Sequence, residues 1–166
     1  MKIEKVVVGS LETNCYILSI NNKCLVIDPG DEYNKIKEII SNKKVVGVIV
    51  THYHFDHIGA LDRFDKNLIL DKNNLEEREY NIDDFNFKII YTPGHKEDLI
   101  SIYFKKENIM FAGDFIFKSA IGRTDLPGGD YKEMLSSLNK IKKYDKNIKI
   151  YPGHGDITYL GDEIYY

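Results

Sequence analysis

All five histidines of this 166-residue chain lie in short motifs of a kind that binds metal ions. They are His52, His54, His57, His95 and His154. The first three share the string T-H-Y-H-F-D-H, the fourth ends T-P-G-H, and the fifth lies in Y-P-G-H-G. Imidazole nitrogen is a common ligand of zinc and iron. A chain that places every histidine in such motifs is therefore expected to build a preorganised metal site.

Two aspartates extend this set of candidate ligands. Asp56 lies inside the histidine string, and Asp114 follows an apolar segment, residues 109–112, through Gly113. The seven side chains are more than one tetrahedral ion takes, so the sequence predicts two divalent ions. Nitrogen and oxygen ligands suit zinc, iron and manganese alike, and zinc is the metal expected, with iron and manganese as alternatives.

The segments that precede the candidate ligands have the pattern of buried strands. Residues 46–51 lead into the histidine string, 87–91 lead to His95, and 148–151 lead to His154. A glycine directly before His95, Asp114 and His154 lets the backbone turn closely. Strand ends are therefore expected to deliver the ligands to one place.

The histidine string is expected to be an extended loop that runs into a helix near Gly59. Every second residue of an extended segment points the same way, which would place His52, His54 and Asp56 on one side. His57 would turn with the start of the helix. Tyr53 and Phe55, which alternate with the ligands, are expected to face away from the metals and into the core.

Short apolar segments separated by few helices run through the whole chain. Strands are predicted over residues 5–8, 13–20, 23–28, 45–50, 68–70, 85–91, 99–104, 109–112 and 148–151, and helices over 31–41 and 130–143. This order favours an α/β fold in which two mixed sheets are stacked face to face with helices on the outer surfaces. One domain over residues 1–166 is expected from the length.

Composition limits the partners. A formal net charge of −3 with interspersed charges argues against nucleic acid, and no apolar run reaches the roughly 18 residues of a membrane span. The N-terminus lacks the order of a signal peptide, so a cytoplasmic protein is expected. Cys15 and Cys24 lie on two strands joined at Asn21-Asn22, in a register that separates them by about 13 Å. They are therefore predicted to be small core residues without a disulfide.

These motifs together resemble those of the metallo-β-lactamase superfamily and, within it, the glyoxalase II-like hydrolases. The resemblance extends from N-C-Y at 14–16 and D-P-G at 28–30, through the histidine motifs, to G-R-T-D-L-P-G-G-D at 122–130 and P-G-H-G at 152–155. It implies a four-layer αββα sandwich with the site at one edge of the two sheets.

The resemblance also implies a role for each candidate ligand. His52, His54 and His95 would hold the first metal, Asp56, His57 and His154 the second, and Asp114 would bridge them. Asp28 would accept a hydrogen bond from a ligand histidine and fix its tautomer. Arg123 would either stabilise its own loop, through Asp125 or Asp130, or bind an anion of the substrate.

The predicted reaction is hydrolysis of a small hydroxyacyl thioester by a metal-bridging hydroxide, with Asp56 or Asp114 taking up the proton. The main alternative is a mononuclear iron dioxygenase acting on a persulfide, built on the same fold. A non-catalytic metal-stabilised module is disfavoured because structural zinc sites are closed four-ligand sites. A β-lactamase is disfavoured because Asp114 occupies the bridging place and because a periplasmic enzyme should carry a signal peptide.

Only twelve residues follow His154. They are too few for the helical glutathione-binding domain of glyoxalase II proper, so no C-terminal substrate domain is expected. The pocket over the metals is then predicted to be open or to be completed by a second subunit in a homodimer.

Overall fold

Two mixed β-sheets lie face to face in the computed structural model, which describes residues 1–164. In chain order the strands are β1 (Lys2–Val8), β2 (Thr13–Ile20), β3 (Lys23–Ile27), β4 (Lys44–Ile49), β5 (Ile69–Leu70), β6 (Glu79–Ile82), β7 (Phe85–Tyr91), β8 (Ile100–Phe104), β9 (Ile109–Gly113), β10 (Ile116–Phe117), β11 (Ala120–Ile121), β12 (Lys149–Pro152) and β13 (Thr158–Tyr159). The α-helices are α1 (Tyr33–Ile40), α2 (Phe55–Ile58), α3 (Tyr131–Ile141) and α4 (Leu160–Glu163). The first sheet has the order β1-β2-β3-β4-β5 and the second β13-β12-β9-β8-β7-β6, while β10 and β11 form a separate hairpin.

Strand alternation divides the core into layers. On β2, Tyr16 and Leu18 pack between the two sheets, whereas Ile17 packs on the opposite face beneath Ile36 of α1. On the far side of the second sheet, α3 buries Met134, Leu138 and Ile141. Each fully buried side chain of this size contributes about 1.5–3 kcal/mol. The result is the predicted four-layer α/β arrangement, with α1 and α3 as outer layers.

All nine predicted strands are present, and the strands that the sequence did not reveal are short. The missed strand β6 has the mixed sequence E-Y-N-I, and β10, β11 and β13 have two residues each. Two-residue segments cannot show a period of two, and the alternation of E-Y-N-I covers only four residues.

Helix α1 begins at Tyr33, later than predicted. Glu32 has a left-handed φ of 45°, and its carboxylate accepts a hydrogen bond from the Gly9 amide instead of entering the helix. Helix α3 begins at Tyr131, and Asp130 caps it by accepting hydrogen bonds from the amides of Lys132 and Glu133.

Strand direction gathers the ends of several strands at one edge. Strands β9 and β12 are parallel, and β7 and β9 are both antiparallel to β8, so β7, β9 and β12 run the same way. In the first sheet β3 and β4 are also parallel. A hydrogen bond from the Ile100 amide to the Thr51 carbonyl, at 2.9 Å, joins the two sheets at this edge.

The cysteine prediction is confirmed. Cys15 and Cys24 are buried and free, and Cys24 lies opposite Ser19 in the hairpin. Over residues 1–164 none of the helices combines the length and apolar character needed to cross a membrane. The single-domain organisation, the homodimer and the cytoplasmic location stay predictions.

Candidate metal centre

The histidine string follows the end of β4 and enters a helix earlier than predicted. His54 is still extended, with φ −79° and ψ 145°, but α2 begins at Phe55. Asp56 therefore lies in a helical turn, and the expectation that it continues the alternation of His52 and His54 is wrong. The turn packs tightly on Gly30, where a Cβ atom would lie 1.9 Å from the Asp56 carbonyl oxygen.

Tyr53 and Phe55 are not core residues, contrary to the prediction. Tyr53 is 37% exposed and Phe55 is 74% exposed. The string lies beyond the ends of the sheets, so its outer side has no core to face. The alternation that the prediction assumed also ends where α2 begins.

Three imidazole rings form one half of the candidate centre, which we call the first triad: His52, His54 and His95. The Nδ1 atom of His54 lies 3.1 Å from Nε2 of His52 and 2.9 Å from Nε2 of His95. His52 and His95 are buried, and His54 is half-buried. Three ring nitrogens thus point at a common position.

The second triad consists of Asp56, His57 and His154. The Oδ2 atom of Asp56 lies 3.4 Å from Nε2 of His57 and 3.2 Å from Nε2 of His154. The same oxygen accepts a hydrogen bond of 2.9 Å from the hydroxyl of Thr13, at the start of β2. Thr13 thereby fixes the carboxylate, a contact that no pattern in the sequence indicates.

Asp114 lies between the triads and contacts both. Its Oδ1 atom is 3.3 Å from Nε2 of His57, and its Oδ2 atom is 3.4 Å from Nε2 of His95 and 3.5 Å from Nε2 of His154. The packing requires glycine nearby, because a Cβ atom at position 153 would lie 2.2 Å from Asp114 Oδ1. All seven predicted ligands are therefore brought together, and the position of Asp114 suits a bridge.

Asp28 supports one ring of each triad. His57 Nδ1 donates to Asp28 Oδ2 at 2.8 Å, which is the predicted hydrogen bond from a ligand histidine. The hydroxyl of Thr51 donates to the same oxygen at 2.6 Å and accepts from His52 Nδ1 at 3.0 Å. The network fixes both tautomers and leaves each Nε2 atom facing the centre. Thr51 was missed, although its position directly before the string is a signal.

Main-chain carbonyls fix two further rings. His95 Nδ1 donates to the carbonyl of Arg123 at 2.7 Å, and His154 Nδ1 donates to the carbonyl of Leu11 at 3.0 Å. Four of the five histidines therefore present Nε2 to the centre, while His54 presents Nδ1. A side-chain pattern in the sequence cannot reveal a carbonyl partner.

The Arg123 side chain points away from this carbonyl contact. Its Nε and Nη2 atoms donate to the two oxygens of Asp125, each at 2.7 Å, which is one of the loop contacts predicted for it. The other candidate partner, Asp130, caps α3 instead. A substrate role for Arg123 stays a prediction.

The protonation of the centre differs from one triad to the other. Burial lowers the pKa of His52 well below its usual range and also lowers that of His54. Burial opposes protonation of His57 as well, but the carboxylates of Asp28 and Asp114 raise its pKa to about 10. For His154, burial is likewise outweighed by Asp114 and Asp56, and its pKa is also about 10.

These residues fit divalent cations. In the described part of the chain, His57 Nε2 and Asp114 Oδ1 are buried without a hydrogen-bond partner, and they face each other. Buried polar atoms of this kind need an explanation, and a cation shared by both would satisfy them. The donor set of imidazole nitrogens and carboxylate oxygens is also one that zinc, iron and manganese accept.

Comparison with known proteins agrees with the geometry. The chain is 31% identical to "Probable metallo-hydrolase YqgX" of Bacillus subtilis, over 95% of this chain and 92% of the relative. It is 30% identical to "Hydroxyacylglutathione hydrolase GloC" of Haemophilus influenzae, over 98% and 95%. Among solved structures, the BLEG-1 B3 metallo-beta-lactamase superposes with a TM-score of 0.90 at 28% identity, over 97% of this chain and 95% of that one. The model of the metallo-beta-lactamase superfamily matches residues 8–72 and 69–154, and the chain belongs to that superfamily.

Proposed function

We propose that this protein is a metal-dependent hydrolase that cleaves a small hydroxyacyl thioester. The observation that carries the proposal is the pair of complete triads with Asp114 in contact with both. The similarity to a protein named hydroxyacylglutathione hydrolase, at 30% identity over almost the whole chain, supports the substrate class.

When two divalent cations are bound, they supply a water-derived nucleophile near neutral pH and polarise the carbonyl oxygen that is attacked. The chain's own residues do the rest. Asp114 contacts rings of both triads and so fixes their relative position. Asp28 and the carbonyls of Arg123 and Leu11 prevent rotation of the rings of His57, His95 and His154. Fixed ligands of this kind supply preorganisation, which saves reorganisation during the reaction.

The carboxylates of the centre are ligands and proton acceptors rather than acids. Burial opposes their ionisation, but His154 and His57 hold the pKa of Asp56 and of Asp114 below the usual range, so both are ionised at neutral pH. Four histidines have Nδ1 engaged with an oxygen and Nε2 facing the centre, so these four have no ring nitrogen left for general-acid catalysis. A thiolate leaving group needs little acid assistance, because thiols ionise near pH 8–9. The arrangement therefore suits a thioester better than an amide.

Two other activities are the competing outcomes. A persulfide dioxygenase uses one iron ion held by two histidines and a carboxylate, and it has no need of a second complete triad. A β-lactamase is considered because the BLEG-1 enzyme superposes closely. Neither accounts for the residues of this chain better than thioester hydrolysis does.

The test is one panel on protein purified without added metal. We would measure zinc, iron and manganese per chain, and then turnover of S-lactoylglutathione, of S-lactoyl-N-acetylcysteamine and of a chromogenic β-lactam, together with O₂ uptake on glutathione persulfide. We expect two ions per chain and thioester turnover that a chelator abolishes. Oxygen uptake without thioester cleavage, or cleavage of the β-lactam alone, would replace the proposal.

A further inference from the structure

A cleft of about 450 Å³ lies beside the second triad. Its walls are the β10–β11 hairpin and the turn that follows β12, and its lining residues are Phe117, Lys118, Ala120, His154, Gly155 and Asp156. The ring centroid of Phe117 is 6.1 Å from that of His154. A group in the cleft therefore reaches the rim of the candidate metal centre.

The cleft combines apolar walls with one lysine. Phe117 and Ala120 pair across the hairpin and supply apolar surface. Lys118 and Asp156 carry the charges, and their Nζ and Oδ2 atoms are 3.7 Å apart. Their side chains are 59% and 77% exposed, and exposed pairs of this kind contribute little. Lys118 is therefore free to exchange Asp156 for the carboxylate of a ligand.

A buried carboxylate fixes the hairpin that forms one wall. Glu163 of α4 is only 5% exposed. Its Oε2 atom accepts from the Ser119 amide at 2.7 Å, and its Oε1 atom accepts from the Thr158 hydroxyl at 2.6 Å. Ser119 is in the turn of the hairpin and has a left-handed φ of 63°, which costs free energy for a residue other than glycine. Glu163 thus holds the turn in place and makes the wall a preformed one.

We propose that this cleft binds a carboxylate carried on a short apolar stem of the substrate, with Phe117 contacting the stem and Lys118 pairing with the carboxylate. Glu163 is a positioning residue that acts through the hairpin. The inference rests on the proposed thioester hydrolysis and narrows its substrate class. The carboxylate can belong to the acyl half or to the thiol half, and the experiment separates the two.

Binding is measured first, with thioether analogues that cannot be hydrolysed. Isothermal titration of the metal-loaded protein would compare S-(3-carboxypropyl)-N-acetylcysteamine, which carries the carboxylate in the acyl position, with S-butyl-N-acetylcysteamine, which is neutral. A third analogue, 3-(butylthio)propionate, carries it in the thiol position. We expect one of the two carboxylates to bind about tenfold more tightly than the neutral analogue. Equal affinity of all three would overturn the proposal.

Variants then assign the effect to Lys118. Lys118→Met keeps the apolar stem and removes the charge, so the preference for the carboxylate should disappear, and Lys118→Arg should retain it. The matched control is Lys2→Met. Lys2 is also an exposed lysine paired with an acid, and it lies at the opposite end of β1 from the centre, roughly 20 Å from Val8. If Lys118→Met keeps the wild-type preference, or Lys2→Met loses it, the assignment is wrong.

Glu163 is tested by a pair of variants. Glu163→Ala removes both hydrogen bonds and should weaken all three analogues by about tenfold, whereas Glu163→Gln can keep both contacts and should stay within about twofold of wild type. Wild-type affinity in Glu163→Ala would refute the positioning role. Turnover of S-lactoyl-N-acetylcysteamine is a separate readout. If it is absent while the analogues still bind through Lys118, then thioester hydrolysis fails and the carboxylate site stands.

Discussion

The two triads of the candidate centre have three ligands each, yet they differ in charge and in protonation. In the first triad burial lowers the pKa of His52 and His54, so these rings are neutral at pH 7. In the second triad carboxylates outweigh burial and raise the pKa of His57 and His154 to about 10, so these rings carry protons until a cation replaces them. Equal ligand counts therefore do not imply equal sites.

The hydrogen-bond partners that orient the rings do not divide along the same line as the protonation. His52 and His57 are held through the carboxylate of Asp28, whereas His95 and His154 are held by main-chain carbonyls. Each triad thus has one ring that depends on a side-chain network and one that depends on the backbone. Substitutions can break the first kind of support but not the second.

The largest expected effect comes from Asp114, the residue in contact with both triads. Asp114→Asn removes the negative charge that faces three histidine rings, so we expect the second ion to be lost and kcat/KM for the lactoyl thioester to fall by about 1000-fold. The measurements are metal per chain and steady-state kinetics. Asp125→Asn, in an exposed loop, is the control and should keep both ions. Two retained ions and activity within about tenfold of wild type would contradict the bridging role.

The pH dependence of metal binding should separate the triads next. Cation binding at the second triad must displace the protons of His57 and His154, so the affinity there should rise with pH, by up to about 100-fold per pH unit between roughly pH 7 and 9. At the first triad His52 and His54 are already neutral, so the affinity should change less over the same range. Calorimetry in two buffers of different ionisation enthalpy would count the protons released.

If both binding events release the same number of protons, the electrostatic difference between the triads does not exist in solution. The second event should release about two protons, from His57 and His154.

A smaller effect should follow from loss of the Asp28 network. Asp28→Asn weakens the direct bond to His57 and, through Thr51, the support of His52, so it should lower the affinity of the second site by about 10–100-fold and that of the first site less. Thr51→Val removes the bonds of the hydroxyl to His52 and Asp28 but leaves the bond between His57 and Asp28, so it should weaken mainly the first site. Competition titrations with a chromophoric chelator would give both affinities. If Thr51→Val weakens the second site as much as Asp28→Asn does, the support is not divided as the hydrogen bonds indicate.

Much of the centre could be predicted because residues adjacent in the sequence indicate where its ligands lie. His95, Asp114 and His154 each follow an apolar strand and a glycine, so strand ends and close turns could be read directly from residue types. The layered fold followed from the order of strands and helices for the same reason. Asp28 was found through its motif, and the structure places its carboxylate 2.8 Å from His57.

What the sequence did not reveal depends on tertiary context. The early start of α2 and the exposure of Phe55 depend on packing against Gly30 at the edge of a sheet, which no local period encodes. The carbonyl partners of His95 and His154 lie 28 and 143 residues away in the chain and involve no side chain of the partner. Protonation depends on distances of a few ångströms between groups from different loops.

The smallest effect is expected from Arg123, where a substitution tests whether the main-chain carbonyl alone is enough to hold His95. Its carbonyl holds His95, whereas its guanidinium makes an exposed pair with Asp125. Arg123→Ala keeps the carbonyl, so the first site should retain its ion, and the melting midpoint should move by less than about 2 °C. Asp125→Ala should behave identically if the pair serves only the loop, and kinetics of both variants decides this. A KM that rises more than about tenfold in Arg123→Ala alone, with kcat unchanged, would instead show that the guanidinium binds an anion of the substrate.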